Sequence, residues 1–339
     1  RNWDYRYTWL RDSAFVLYAL DQLGYHVEVN GFFKFLKRVR RRATDRHVQI
    51  MFSVDGGHDL PERILPQLEG YHGARPVRVG NDAASQFQLD VYGEVLATAD
   101  IWRQRHDMTE GIWTVLHDLV DWTATHWREP DLSIWEPRQD ARHFVFSKVM
   151  AWVALDRGAR LAQELRMPGD RNRWRREADA VRADVLARGW DAERQTFVQS
   201  YDAPDLDAAV LAIPKFGFLP ANDPRVRSTL SAVRRELATV CEDLIYRYRG
   251  PDGLDGHEGA FVVCSFWVVE NLAMTGNIEE AERLFRHLVK RANHVGLLAE
   301  EIDPATGAQL GNFPLGLSHA AVISAARTLE RHRTPGPRD

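Results

Sequence analysis

The sequence predicts an all-α toroid, a ring of inner helices wrapped by a ring of outer ones, with short hairpins in its loops. Two observations carry that expectation. Segments that are apolar on nearly every face recur at roughly even spacing along the 339 residues, as fully buried helices must be. Between them lie segments with one charged face, the pattern of half-buried helices. With 45% hydrophobic residues, the chain is long enough to close one large core.

The inner helices are expected to begin near Asp12 (DSAFVLYALDQLG), Ala84 (ASQFQLDVYGEVLATADIW), Ser147 (SKVMAWVALDRGARLA), Asp207 (DAAVLAIPKFGF), Phe261 (FVVCSFWVVENLAM) and Ser318 (SHAAVISAARTL). The outer helices are expected over 27–42, 109–127, 170–188, 223–239 and 277–293. Strand signals are short and scattered, HVQIMFSV and TFVQSY among them, and suit loop hairpins. Only five outer segments accompany six inner ones, so a further helix is expected upstream and residues 1–339 are read as one domain of a longer protein.

Composition excludes several classes. No stretch reaches about 18 uninterrupted apolar residues, so no membrane span is predicted, and the first residues lack the layout of a secretion signal. A formal charge of -4 leaves no footprint for nucleic acid. The basic run over 34–46 reads as the solvated end of an amphipathic helix. Cys241 and Cys264 stand in apolar runs and read as buried, inert thiols, which fits a cytoplasmic setting. The 13 His residues form no HExxH cluster, and neither a phosphate-binding loop nor a dinucleotide fingerprint occurs. DGLDGHEG lacks the spacing of an EF-hand. Neither a metal nor a cofactor is expected.

In a toroid the segments that enter the inner helices open on one face, so their residues should converge on a single cavity. These segments are YRYTWLRD (5–12), PVRVGNDAAS (76–85), IWEPR (134–138), YDAPDLD (201–207), YRYRGPDGLDGHEG (246–259) and LLAEEIDPATGAQLGNFP (297–314). Acids recur in them, together with aromatics and arginines. Carboxylates below and indole or phenol rings around suit neutral, hydroxyl-rich ligands, whose ring edges hydrogen-bond and whose faces present C–H groups. The ligand class is carbohydrate. Hydrolysis of a glycosidic bond requires one carboxylic acid to protonate the leaving oxygen and one carboxylate on the other face of the sugar. Glu136 suits the acid, because Trp135 and Pro137 would leave it partly desolvated, a setting that keeps a carboxyl protonated. Glu300 or Glu301 suits the base, presented by a loop rich in Gly and Pro.

At these same segments the chain resembles glycoside hydrolase family 15, the glucoamylases and related bacterial trehalases, from RNWDYRYTWLRDSAF through GARPVRVGNDAASQFQLDVYGE and IWEPR to YRYRGPDGLDGHEGAFVVCSFW and LLAEEIDPATGAQLGNFPLGLSHAAVI. The resemblance implies an (α/α)6 barrel, commonly preceded in bacterial members by a β-sandwich domain. It implies an exo-acting, inverting α-glucoside hydrolase with Glu136 as general acid and Glu300 as general base, Glu301 being the second choice. It implies sugar contacts from Tyr5, Trp9, Arg11 and Asp12, and from Arg247. Arg78, Asn81, Trp135 and Glu258 complete the expected binding set by their places in the entering loops. Ala299 stands where the family commonly has Ser, and NFPLGLSH stands for its NFPQAFSH, which bears on assistance to the base and on the outer sugar site. Two other readings share this cleft: a toroid that binds sugars without turnover, and a transferase that passes the glucosyl unit to phosphate or a second sugar.

Overall fold

A computed structural model describes residues 3–42, 47–240, 243–250, 253, 256 and 258–333. Its helices in chain order are α1 (Leu10–Gln22), α2 (Val27–Arg42), α3 (Asp90–Trp102), α4 (Glu110–His126) and α5 (Val145–Glu164), then α6 (Arg171–Arg188), α7 (Pro224–Glu236), α8 (Val262–Met274), α9 (Ile278–Val289) and α10 (Gly316–Arg333). A 3-10 turn over Ala208–Ala212 stands between α6 and α7.

The inner ring closes on itself. Helix α1 packs on α3, α3 on α5, α5 on the 3-10 turn, that turn on α8, α8 on α10, and α10 back on α1. Helix α8 is buried at every position from Val262 to Ala273, as expected of a helix without a polar face. Close approach within the ring depends on glycine at one point. A Cβ on Gly93 of α3 would lie 2.2 Å from the carbonyl oxygen of Met150 in α5. The outer helices pack outside with narrow apolar stripes. In α6 the buried residues are Trp174, Ala178, Val181 and Val185, at alternating steps of four and three, and Asp170 caps its start by accepting from the Arg173 N–H at 3.0 Å. In α9 the stripe is Ala281, Leu284 and Leu288.

Two inner elements depart from the sequence reading. The fourth is no α-helix: after Ala212 the chain turns, because Pro214 has no N–H to continue the ladder and Gly217 takes φ 74. The second begins at Asp90 rather than near Ala84. Ala84 belongs to a separate 3-10 turn over Asp82–Ser85, and Gln86 then runs extended. The strands are all two residues long. β1 (Thr8–Trp9) pairs with β2 (Met51–Phe52), β3 (Arg63–Ile64) with β4 (Arg78–Val79), and β5 (Trp190–Asp191) with β6 (Thr196–Phe197). β7 (Ala260–Phe261), β8 (Glu301–Ile302) and β9 (Gln309–Leu310) form a three-stranded antiparallel sheet at the start of α8. Cys264 is a buried thiol in α8. Cys241, residues 43–46 of the basic run and much of DGLDGHEG lie outside the described residues. No helix among the described residues is long and apolar enough to cross a membrane.

Candidate active site

The starts of α1, α8 and α10 and the loop before α5 surround one cleft with two adjoining lobes. The inner lobe encloses about 220 Å³, lined by Tyr7, Trp9, Arg11, Asp12, Phe15, Ile134, Trp267 and Leu315 among others. The outer lobe is smaller, about 40 Å³, and its own walls are Trp3, Asn81, Pro137, Arg138, Tyr248, Glu258 and Glu301. Tyr5, Trp135, Glu136, Arg247, Phe261 and Glu300 line both. Of the three expected catalytic carboxyls, Glu136 and Glu300 therefore stand at the junction and Glu301 beyond it.

Glu136 is held in an unusual backbone state. Its φ is 54 and that of Ser133 is 52, left-handed values that cost a residue with a Cβ about 1 kcal/mol or more. The fully buried Asp131 fixes the turn, its Oδ2 accepting from the N–H groups of Leu89 at 3.0 Å and Ser133 at 3.1 Å and from the Ser147 hydroxyl at 2.7 Å. Strain of this kind persists only where the surroundings over-determine it. At the carboxyl, three donors meet on Oε1: the Trp9 indole N–H at 2.9 Å, Arg11 at 3.0 Å and the Gln88 amide at 3.3 Å. Oε2 meets no donor among the described residues.

The wall beside Glu136 differs from the one expected. Trp135 turns its indole N–H away, donating to Asp207 at 2.8 Å, and the Gln199 amide donates to the same carboxylate at 3.2 Å. The Trp135 ring packs edge-on against Phe261, with centroids 5.2 Å apart, and forms part of the cleft wall. The aromatic that touches the Glu136 carboxyl is Trp9, from the first loop. Arg11 is buried and also reaches Gln88 at 2.5 Å, Asp90 at 3.4 Å and Asp12 at 3.5 Å. Burial raises the pKa of both acids, and the Arg11 charge opposes that.

Gln88 and its partner Gln86, at 3.0 Å, were missed by the sequence reading. Their signal was available: two buried amides in QFQLD interrupt a run read as continuous apolar helix.

Glu300 comes from a different loop, the one before α10. The Tyr5 hydroxyl donates to Oε1 at 2.7 Å and the Asn312 backbone N–H to Oε2 at 3.1 Å. Burial raises its pKa; the Tyr5 and Asn312 hydrogen bonds pull the other way. A carboxylate so placed is a stronger base than one in water. Glu301, the next residue, begins β8 and lines the outer lobe only. It accepts from the Gly259 N–H at 2.8 Å, and burial, with Glu300 and Glu258 nearby, lifts its pKa to about 7.

The remaining candidates divide between the lobes. Arg247 is half-buried, pairs with Glu258 (Nε to Oε2 2.7 Å) and lies over Phe261, its Cζ 5.2 Å from the ring centre. Asn81 lines the outer lobe, while its side-chain oxygen accepts from the Ala83 N–H at 3.0 Å. Arg78 stands behind the lobe rather than in its lining, bonded to Glu62 at 3.1 Å.

A toroid of inner and outer helices, with two carboxyls facing one cleft amid indole, phenol and guanidinium groups, defines a class: the α/α-barrel glycoside hydrolases. The chain belongs to glycosyl hydrolases family 15, whose family model matches residues 1–327. It is 44% identical over 331 residues to a trehalase of Mycobacterium tuberculosis, covering 96% of this chain and 48% of that protein. It is 39% identical over 337 residues to a trehalase of Thermoplasma volcanium, covering 97% and 52%. The chain thus spans about half the length of these relatives. Among solved structures, a wild-type glycosidase superposes with a TM-score of 0.76 at 20% identity, over 96% of this chain and 88% of that one. A bacterial glucoamylase complexed with acarbose superposes with a TM-score of 0.74 at 14% identity, over 97% and 49%. Both likenesses are of fold.

Proposed function

We propose that this chain is the catalytic barrel of an exo-acting, inverting α-glucoside hydrolase and that trehalose is its substrate. One observation carries the reading: Glu136 and Glu300 line both lobes of the cleft, approach from different loops and are held by separate sets of donors. A glycosidic oxygen at the junction would have one sugar in each lobe and a carboxyl on either side. The trehalase relatives support the choice of disaccharide.

In this mechanism Glu136 carries its proton on Oε2, because Oε1 already accepts from Trp9, Arg11 and Gln88. It gives that proton to the leaving oxygen. Glu300, oriented by Tyr5 and the Asn312 N–H, takes a proton from a water that attacks C1 from the opposite face, so the attacked sugar is released as β-glucose and the protonated leaving sugar of trehalose as α-glucose. Arg11, Asp12 and Arg247 line the inner lobe and hold the hydroxyls of the sugar being released.

The test is glucose release from trehalose, maltose and isomaltose, with the product anomer followed by NMR, in the natural chain and in Glu136→Gln. The expected result is β-glucose from the attacked sugar, accompanied on trehalose by an equal initial amount of α-glucose from the leaving one, with the rate falling by about 10²- to 10⁴-fold in the variant. Initial release of α-glucose without β-glucose from trehalose, a requirement for phosphate, or undiminished activity in Glu136→Gln would sink the reading.

A further inference from the structure

We infer that the outer lobe ends in a cross-linked wall built on Trp3, and that this wall limits the ligand to two sugar rings. The inference rests on the proposed reading of the cleft and adds what bounds its far side. The residues that line both lobes form the near boundary of the outer one. Those that line the outer lobe alone, Trp3, Asn81 and Arg138 among them, form its far boundary.

Trp3 is held at every part. Its N–H donates to Asn312 Oδ1 at 3.3 Å and its carbonyl accepts from Asn312 Nδ2 at 2.9 Å. The same residue, through its own backbone N–H, holds Glu300. The indole lies within cation–π range of two guanidiniums, Arg78 with Cζ 4.3 Å from the ring centre and Arg138 with Cζ 5.4 Å. Glu62 ties those two arginines together, Oε1 accepting from Arg78 at 3.1 Å and Oε2 from Arg138 at 2.8 Å. The arginine and glutamate side chains are all less than a quarter exposed, so these pairs are screened less than surface ones. Arg78, Arg138 and Glu62 thus brace the ring and Asn312 the backbone, and the ring's rotamer freedom is spent in folding rather than on ligand binding.

The chemistry of the wall suits the second sugar of a disaccharide. The indole offers a flat apolar face for ring C–H groups, and Arg138, Glu258 and Glu301 offer donors and acceptors at the edge. With about 40 Å³ in this lobe against about 220 Å³ in the inner one, the outer lobe is the tighter of the two, and the indole lines the part that a third ring would have to pass.

The test is calorimetric binding of maltose, maltotriose and trehalose in a Glu136→Gln background, which binds without depending on turnover. Trp3→Ala is expected to shift the maltotriose-to-maltose affinity ratio by about tenfold toward the longer sugar, the scale of a changed pocket contact. Glu62→Gln, which removes the charge shared by the two arginines without touching the lobe, is expected to shift it the same way by less. Thermal unfolding midpoints identify variants that have lost the fold. An unchanged ratio in folded Trp3→Ala, a parent that binds the two maltosaccharides equally, or no binding by any of them overturns the inference. If the ratio shifts while the natural chain releases no glucose, the hydrolase reading fails and the wall stands.

Discussion

The Tyr5 hydroxyl donates to Oε1 of Glu300 across 2.7 Å, joining the first loop of the barrel to the last. The contact does two things at once. It fixes where the carboxylate points, and it offsets part of the burial that raises that carboxyl's pKa.

Tyr5→Phe therefore has a signed consequence for pH. In the proposed mechanism Glu300 must be ionised to accept a proton, so activity is expected to be lost as pH falls through its pKa. Without the phenol that pKa rises further, and the acidic limb of the kcat profile is expected to move to higher pH. The loss of one charge-assisted hydrogen bond also predicts a fall in kcat near neutral pH of roughly tenfold. A pH–rate profile checks both, and a limb that stays in place would remove Tyr5 from this role.

Gly311 faces the same carboxyl. Its φ is 72, and a Cβ built there would lie 2.7 Å from Oε2 of Glu300 and 3.0 Å from its Cβ. Gly311→Ala is expected to cost about 1–2 kcal/mol of stability through the left-handed backbone and to displace the base. Glucose release should then fall much more than the unfolding midpoint does. Equal, small effects on both would mean that Glu300 tolerates the shift.

At Gly93 the same substitution tests the barrel rather than the site. Alanine is the better helix former, yet its Cβ would meet the Met150 carbonyl at 2.2 Å, and backbone does not give way as a side chain can. Gly93→Ala is expected to lower stability by about 1–3 kcal/mol in chemical denaturation. Stabilisation would mean that α3 and α5 separate without cost.

Helix periodicity was legible because it is local. The outer helices expected over 27–42, 109–127 and 170–188 are found as α2, α4 and α6 within a residue or so at each end. The fourth inner element was overcalled because the apolar run of AAVLAI outweighed Pro214, when a proline so close to the start leaves room only for a 3-10 turn. The loops that carry the two carboxyls were legible for a different reason. In a ring of helices every loop before an inner helix opens on the same face.

The sequence by itself determined the toroid, the face that opens on the cleft and a short set of carboxyls, because hydrophobic period and loop chemistry are written along the chain. Tertiary structure decided what depends on residues far apart in that chain. It brought Glu300, and not Glu301, to the junction of the lobes, because Tyr5 and the Asn312 N–H meet the first carboxyl while the Gly259 N–H holds the second in the outer lobe alone. It also gave the Trp135 N–H to Asp207 and the neighbourhood of Glu136 to Trp9, Arg11 and Gln88. Which donor reaches which oxygen is fixed by the packing of separate loops, and no local pattern encodes it.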